Sequence, residues 1–303
     1  MQTSVDNIER KNVLGVAVQT YTQAQIISAI IQEVGKHQKK VLSTINPEFV
    51  IAANRNQWFR NALNASDWSV IDGVGIHWAL LFDRRSAGQG VVGRSIVWAW
   101  TVLEFAIRSI VSPHSMGARV TGSDLLPALF AALPPQTRIF VMGGKSEAIG
   151  DLTTVLQKRF PTLSWCGVEH GPRNIRIISS GIACDNTEDA AVCKRIAQSG
   201  AEIIVVGFGQ IKQELWIQEH RERFPDASVF IGVGGALDFL SRASQRSPKV
   251  IAGRGLEWFW RLFVEPFRLK RIVNATIVFP WLVLCDALRR AKMATVVGST
   301  GGS

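Results

Sequence analysis

The sequence predicts an α/β fold, a mainly parallel sheet with helices on both faces, and three observations point to it. Short β-branched runs end in Gly, Asp or Asn and give way to helical periodicity, as in successive βα units. Of the 303 residues, 47% are hydrophobic and 19% charged, which is ample apolar surface for a large core and excludes a disordered chain. No repeat or low-complexity linker breaks the alternation. The reading is one Rossmann-like body over 1–253, with 83–117 as an amphipathic helical insertion. Residues 254–297 form a basic, aromatic, helical C-terminal appendage, and 298–303 a flexible tail.

The first main strand is Val41 to Thr44, followed by a helix from Pro47 to Asn61 with proline at its first position and Asn46 as cap. A second strand, Ser69 to Asp72, stops at the turn Gly73-Val74-Gly75. Ser123-Asp124 then caps a helix over Leu125 to Ala132. Strands over Arg138–Met142, Leu163–Gly167, Glu202–Gly207 and Ser228–Gly232 alternate with helices over Ser146–Phe160, Thr187–Ser199, Ile211–Phe224 and Ala236–Ala243. In such a sheet ligands gather at the carboxyl ends of the strands, so the polar residues there are the candidates.

Charge is unevenly placed. From Arg242 onward there are eleven basic and three acidic residues, which accounts for +8 of the net +10. Tryptophan and phenylalanine are dense in the same region, a composition suited to an anionic membrane surface. As spans, the apolar stretches fall short: Val91–Val111 contains Arg94, Glu104 and Arg108, and Ile272–Leu284 is brief and holds Pro280. Met1–Asn12 lacks the apolar run of a signal peptide, and Cys166, Cys184, Cys193 and Cys285 form no CxxC pair. Both features fit a reducing, cytoplasmic location.

At the strand ends, Asp72 would project a carboxylate above a glycine turn, where it can act as a base or close an Asx turn. Thr44 and Asn46 leave the neighbouring strand, and Asn46 reads first as a helix cap. Gly143-Gly144, Gly207-Phe208-Gly209 and Gly232-Val233-Gly234 make three glycine turns along one edge. They suit a nucleotide or sugar phosphate, although close packing of helix on strand explains each alone. Neither GxxxxGK[ST] nor GxGxxG is present. Gln213 and Glu214 open a helix beside the same edge, and Arg119 can grip a phosphate or make a surface ion pair. The five histidines show no metal-ligand spacing and no DxD pair exists, so no metal and no cofactor is expected.

The motifs, in order, are Thr44-Ile45-Asn46-Pro47, Ile71-Asp72-Gly73-Val74-Gly75, Arg119 to Leu125, Met142-Gly143-Gly144, Val206 to Glu214, Gly232 to Phe239 and Gly255 to Leu262. With these the chain resembles the WecG/TagA/CpsF glycosyltransferase family over about residues 13–272. The resemblance implies an inverting transfer from a UDP-sugar donor to a polyprenyl-diphosphoryl-sugar acceptor at the inner face of the cytoplasmic membrane, in cell-surface polysaccharide synthesis. It implies Asp72 as general base; Thr44, Asn46, Arg119 and Gln213 as pocket residues; and Arg261, Arg268 and Arg271 as arginines that the appendage brings to the diphosphates. Arginines in place of a metal agree with the missing DxD pair.

Two features depart from the family pattern. Ile211 stands where a proline is usual, and the stretch between Asp83 and Gly117 is long. Within that stretch Arg94, Thr101, Glu104 and Arg108 share a helical face, with Val97, Trp100, Leu103 and Ile107 largely away from it. The helix is read as docking on the bilayer or, alternatively, as a core or oligomer helix. An NAD(P)-dependent nucleotide-sugar oxidoreductase is the alternative function, weakened by the missing GxGxxG and the single tyrosine, Tyr21. Nucleic acid is not an expected partner, since the basic tail carries no reading motif. The donor sugar and any homo-oligomer are left open.

Overall fold

The computed structural model describes residues 8–111, 120–144, 149–179, 181–241 and 268–300. A short antiparallel hairpin, β1 (Lys11–Val13) and β2 (Val16–Val18), leads to α1 (Gln23–Glu33). There follow β3 (Lys40–Ile45), α2 (Pro47–Arg55), α3 (Gln57–Asn64), β4 (Trp68–Ile71), α4 (Val74–Ser86), α5 (Val91–Val111) and α6 (Gly122–Ala132). The second half runs β5 (Arg138–Gly143), α7 (Ile149–Arg159), β6 (Ser164–Glu169), the hairpin β7 (Arg176–Ile178) and β8 (Gly181–Ala183), α8 (Asn186–Ser199), β9 (Ile203–Gly207), α9 (Lys212–His220), β10 (Val229–Gly232) and α10 (Ala236–Leu240). The chain closes with α11 (Arg268–Val273), a π-turn over Asn274–Val278 and α12 (Phe279–Thr300).

The six main strands form one sheet in the order β4-β3-β10-β9-β5-β6, and every pair is parallel. This confirms the α/β reading. Successive residues of a strand face opposite sides, and the apolar runs are buried on both. Ile203 and Val205 join the core under α1, α6 and α7, whereas Ile204 and Val206 join the core under α8 and α9. A third core, around Phe59, Trp78, Phe82 and Phe279, joins the β1–β2 hairpin, α2, α4 and α12 at the β4 edge.

Several boundaries differ from the sequence expectation for local reasons. The helix expected over Pro47–Asn61 is two helices, because the Asn56 side chain accepts from the Phe59 N–H at 3.0 Å and starts a new one. The cap of α6 is Thr121, whose hydroxyl accepts from the Asp124 N–H, rather than Ser123 or Asp124. The apolar stretch with Pro280 is longer than its sequence suggested. Leu269–Ala294 is one helix of 26 residues, long and apolar enough to cross a membrane, with 22% of its most apolar window buried. Proline does not end it, because the Phe279 N–H bonds to the Asn274 carbonyl. That slip in register falls immediately before the residue that has no donor to offer. All four cysteines are free thiols.

Candidate active site

The carboxyl ends of β3 and β4 bring the first group together. Thr44 is buried near the end of β3, in register with Val70 of β4. The Asp72 N–H donates to the Ile45 carbonyl at 2.8 Å, so the two chains leave the sheet side by side and Asp72 stands next to Asn46. Asn46 caps α2, its side-chain oxygen accepting from the Phe49 N–H at 3.0 Å. The Asp72 turn closes against that cap because Gly75 has no side chain: a Cβ there would lie 2.8 Å from Pro47 Cγ. Val120, where the chain re-enters the described residues, donates its N–H to the Ile71 carbonyl at 3.0 Å. The motif beginning at Arg119 therefore arrives at the same strand end, although Arg119 itself lies outside the described residues.

The three glycine turns stack on one another. Gly143 pairs with Gly207 across β5 and β9, and has φ +106°; a Cβ on it would meet the Gly207 carbonyl oxygen at 2.4 Å. A Cβ on Gly207 would in turn meet Leu237 at 2.6 Å and the Gly234 oxygen at 3.0 Å. Packing is thus a sufficient reason for both, while Gly209 owes its residue type to φ +84°. Gly144 also has positive φ, and its N–H points to the Gly207 carbonyl at 3.4 Å. Gly143→Ala is expected to lower stability by roughly 1–3 kcal/mol through backbone strain, visible as a lower urea midpoint; an unchanged midpoint would contradict this packing account.

Gln213 and Glu214 are buried and tie two of these turns together. The Gly234 N–H donates to Gln213 Oε1 at 2.7 Å, Gln213 Nε2 donates to Glu214 Oε1 at 2.6 Å, and the Ile211 N–H donates to Glu214 Oε2 at 2.9 Å. Burial pushes the Glu214 carboxyl up to about 7, with the hydrogen bonds from Gln213 and the backbone opposing it. Ile211 has φ +74°. Proline, fixed near φ −65° and without an N–H, could make neither this turn nor its bond to Glu214. A proline at position 211 would therefore require a different turn.

Arg261 lies outside the described residues, and Arg268 starts α11. Arg271 reaches the rim: its Nε donates to Glu48 Oε2 at 2.6 Å, in the first turn of α2 and two residues after Asn46. The Glu48 carbonyl accepts from Gln210 Nε2 at 2.9 Å, so one residue joins α11, α2 and the turn after β9. Sequence reading missed Glu48, because its partner lies 223 residues away.

A second polar cluster sits between α8 and α9. The ligand atoms of Asp189, Cys193 and His220 lie within 4.8 Å of one another, a combination that the histidine spacing did not reveal. Hydrogen bonds already occupy this group. His220 Nδ1 is 3.0 Å from the Trp216 carbonyl and Nε2 is 2.7 Å from Asp189 Oδ2, while Trp216 Nε1 donates to Asp189 Oδ1 at 2.9 Å. Both ring nitrogens face acceptors, so both carry protons. Burial alone would lower the His220 pKa, but the bonds to Asp189 and Cys193 outweigh it and raise it to about 9. The arrangement is a buried imidazolium–carboxylate pair.

A groove of about 830 Å³ lies between the β1–β2 hairpin, α4 and α12, and contains none of the candidate residues. Comparison with known proteins places the whole chain rather than any one pocket. The sequence model of the glycosyl transferase WecG/TagA/CpsF family matches residues 11–100 and 90–293. An N-acetylglucosaminyldiphosphoundecaprenol N-acetyl-beta-D-mannosaminyltransferase of Bacillus subtilis (strain 168) is 27% identical over 235 residues, covering 77% of this chain and 75% of that protein.

Proposed function

Because this chain belongs to the WecG/TagA/CpsF family of glycosyltransferases, we propose that it moves a hexosyl group from a UDP-sugar to a sugar carried on polyprenyl diphosphate, with inversion and without a metal ion. The hexosyl group is of the N-acetylmannosamine type, its uronate or glucose. The observation that carries this reading is the meeting of Thr44, Asn46 and Asp72 at adjacent strand ends, inside a chain matched to the family along most of its length. The similarity to a Bacillus subtilis enzyme named for a diphosphoundecaprenol substrate supports the acceptor class. The nicotinamide-dependent alternative gives way to the family assignment.

In the proposed reaction the acceptor hydroxyl attacks the anomeric carbon from the side opposite UDP. The new C–O bond forms as the bond to the diphosphate oxygen breaks, and the Asp72 carboxylate takes the hydroxyl proton. Thr44 and Asn46 position the sugar. Negative charge then gathers on the departing diphosphate, where Arg119, Arg261, Arg268 and Arg271 supply cations and the glycine turns, including Gly234, offer backbone N–H groups. Arg271 is held at this rim by Glu48. Gln213 and Glu214 fix the turns that receive the nucleotide. The apolar helix Leu269–Ala294 and the basic residues around it support a peripheral place on the inner membrane face, in cell-surface polysaccharide synthesis.

The test is UDP release with a panel of UDP-sugars and a short-chain polyprenyl-diphosphoryl-sugar acceptor. Release that depends on the acceptor and persists in EDTA is expected. Folded protein that releases UDP from no donor overturns the reading, and release abolished by EDTA overturns its metal-free part.

A further inference from the structure

The helix α5 is turned inside out. Its side with Thr101, which is 1% exposed, faces the protein together with the partly buried Val97, Trp98, Val102 and Phe105, and Trp98 Nε1 donates to the Pro280 carbonyl at 2.9 Å. On the opposite side Val92, Ile96, Trp100, Leu103 and Ile107 are between 52% and 73% exposed. Their spacing of four, four, three and four residues makes one continuous row, about 22 Å long at the helical rise. An apolar surface of that extent on a water-facing helix calls for a partner.

The border of the row identifies the partner's chemistry. Glu104 accepts from Arg85 and, at 2.7 Å, from Arg108; the Arg85 hydrogen bond is the main cause that holds its carboxyl below the ordinary range. Asp83 pairs with Arg290 at 2.9 Å. Along the row itself the charged groups are Arg85, Arg108 and the one acid they share, Glu104, which leaves the border with a net positive charge. A second copy presenting the same face would add two more arginines and only one more acid. Anionic lipid would neutralise them, with the tryptophan at the headgroup level and the aliphatic side chains below it. Through Trp98 and Pro280, α5 also packs on the apolar helix Leu269–Ala294, so two neighbouring helices expose lipid-compatible surface.

We propose that the exposed row of α5 is a docking surface for an anionic bilayer, separate from the C-terminal helix. This deepens the membrane-linked reading proposed above and rests on it only for its purpose. Thr101, Phe105 and Arg108 line one cavity with His77 and Trp78, so the far end of α5 lies beside the first turns of α4, directly after Asp72. Docking along α5 would bring that end of the sheet to the lipid surface, where a lipid-borne acceptor waits.

The experiment measures sedimentation of the full chain with phosphatidylglycerol-containing vesicles, without any sugar donor, so its result is independent of the transferase reading. Trp100→Glu with Leu103→Glu is expected to weaken binding tenfold or more, with unchanged near-UV circular dichroism and unchanged mass by light scattering. Trp58→Glu, at an exposed tryptophan on α3, is the control and should bind as the wild type does. Vesicle binding unaltered in the double variant overturns the proposal. So does a drop from oligomer to monomer with vesicle binding retained, which would make the row a contact between copies.

Discussion

Asp72→Asn is expected to reduce sugar transfer by about 10²- to 10⁴-fold, the usual contribution of a positioned general base. The amide keeps the size of the side chain and cannot take a proton. The turn is held by the Asp72 N–H on the Ile45 carbonyl and by the close approach of Gly75 to Pro47, and the variant is expected to fold and bind UDP-sugar normally. The loss should therefore fall on kcat, with donor affinity by calorimetry unchanged. A variant with more than a tenth of wild-type turnover would remove Asp72 from the base role. A variant with lost donor affinity would make it a binding residue instead.

The second large effect concerns stability. Asp189→Asn should cost about 3–5 kcal/mol, since it leaves a buried imidazolium without its counter-charge. The amide also has only one acceptor oxygen to serve His220 Nε2 and Trp216 Nε1, so one donor is left facing an NH2 group. The sign of the pH dependence follows from the raised His220 pKa, from an ordinary 6.5 to about 9. Its contribution is complete below pH 6.5 and is lost as pH rises through 9. Asp189 is shifted downward: burial alone would raise it, but the bonds from His220 and Trp216 prevail, so its contribution is lost only in acid, below its ordinary 3.8. Wild-type stability should therefore fall between pH 6.5 and 9, whereas in the variant the unpaired buried histidine, its pKa lowered by burial, is neutral folded and unfolded over the same window and adds no slope there. Glu214, raised to about 7, titrates in both chains and cancels in the difference. Urea unfolding across this range checks that the His220 slope is present in the wild type and lost in the variant; parallel slopes would sink the ion-pair account.

The sheet was legible because its signal is local. Val41–Thr44, Glu202–Gly207 and Ser228–Gly232 are β-branched runs closed by turn residues, and all three lie in the observed sheet within a residue or so. The helix α1 went unread although Thr22 and Gln25 form a capping box that announces it. The periodicity of α5 was also visible, but periodicity says which residues share a face and not which face meets water. Thr101 was grouped with the charged residues, and it is buried. At the site, the nearness of Asp72 to Asn46 could be read from two strand ends, since parallel strands place their ends together. What joins distant segments was not readable: Glu48 with Arg271, and Asp189 with His220, are ordinary surface-type residues until the fold supplies the partner.

The core at the β4 edge is built from the first and last described elements of the chain. Val13, Val16 and Val18 from the first hairpin share it with Phe279, Val283 and Ala287 from the last helix. During synthesis this layer must wait, with Trp78 and Phe82 uncovered, until the segment carrying Phe279 has left the ribosome. Until then the nascent chain shows an aromatic surface open to chaperones, and a chain that stops early, before Phe279, is one that quality control has reason to remove.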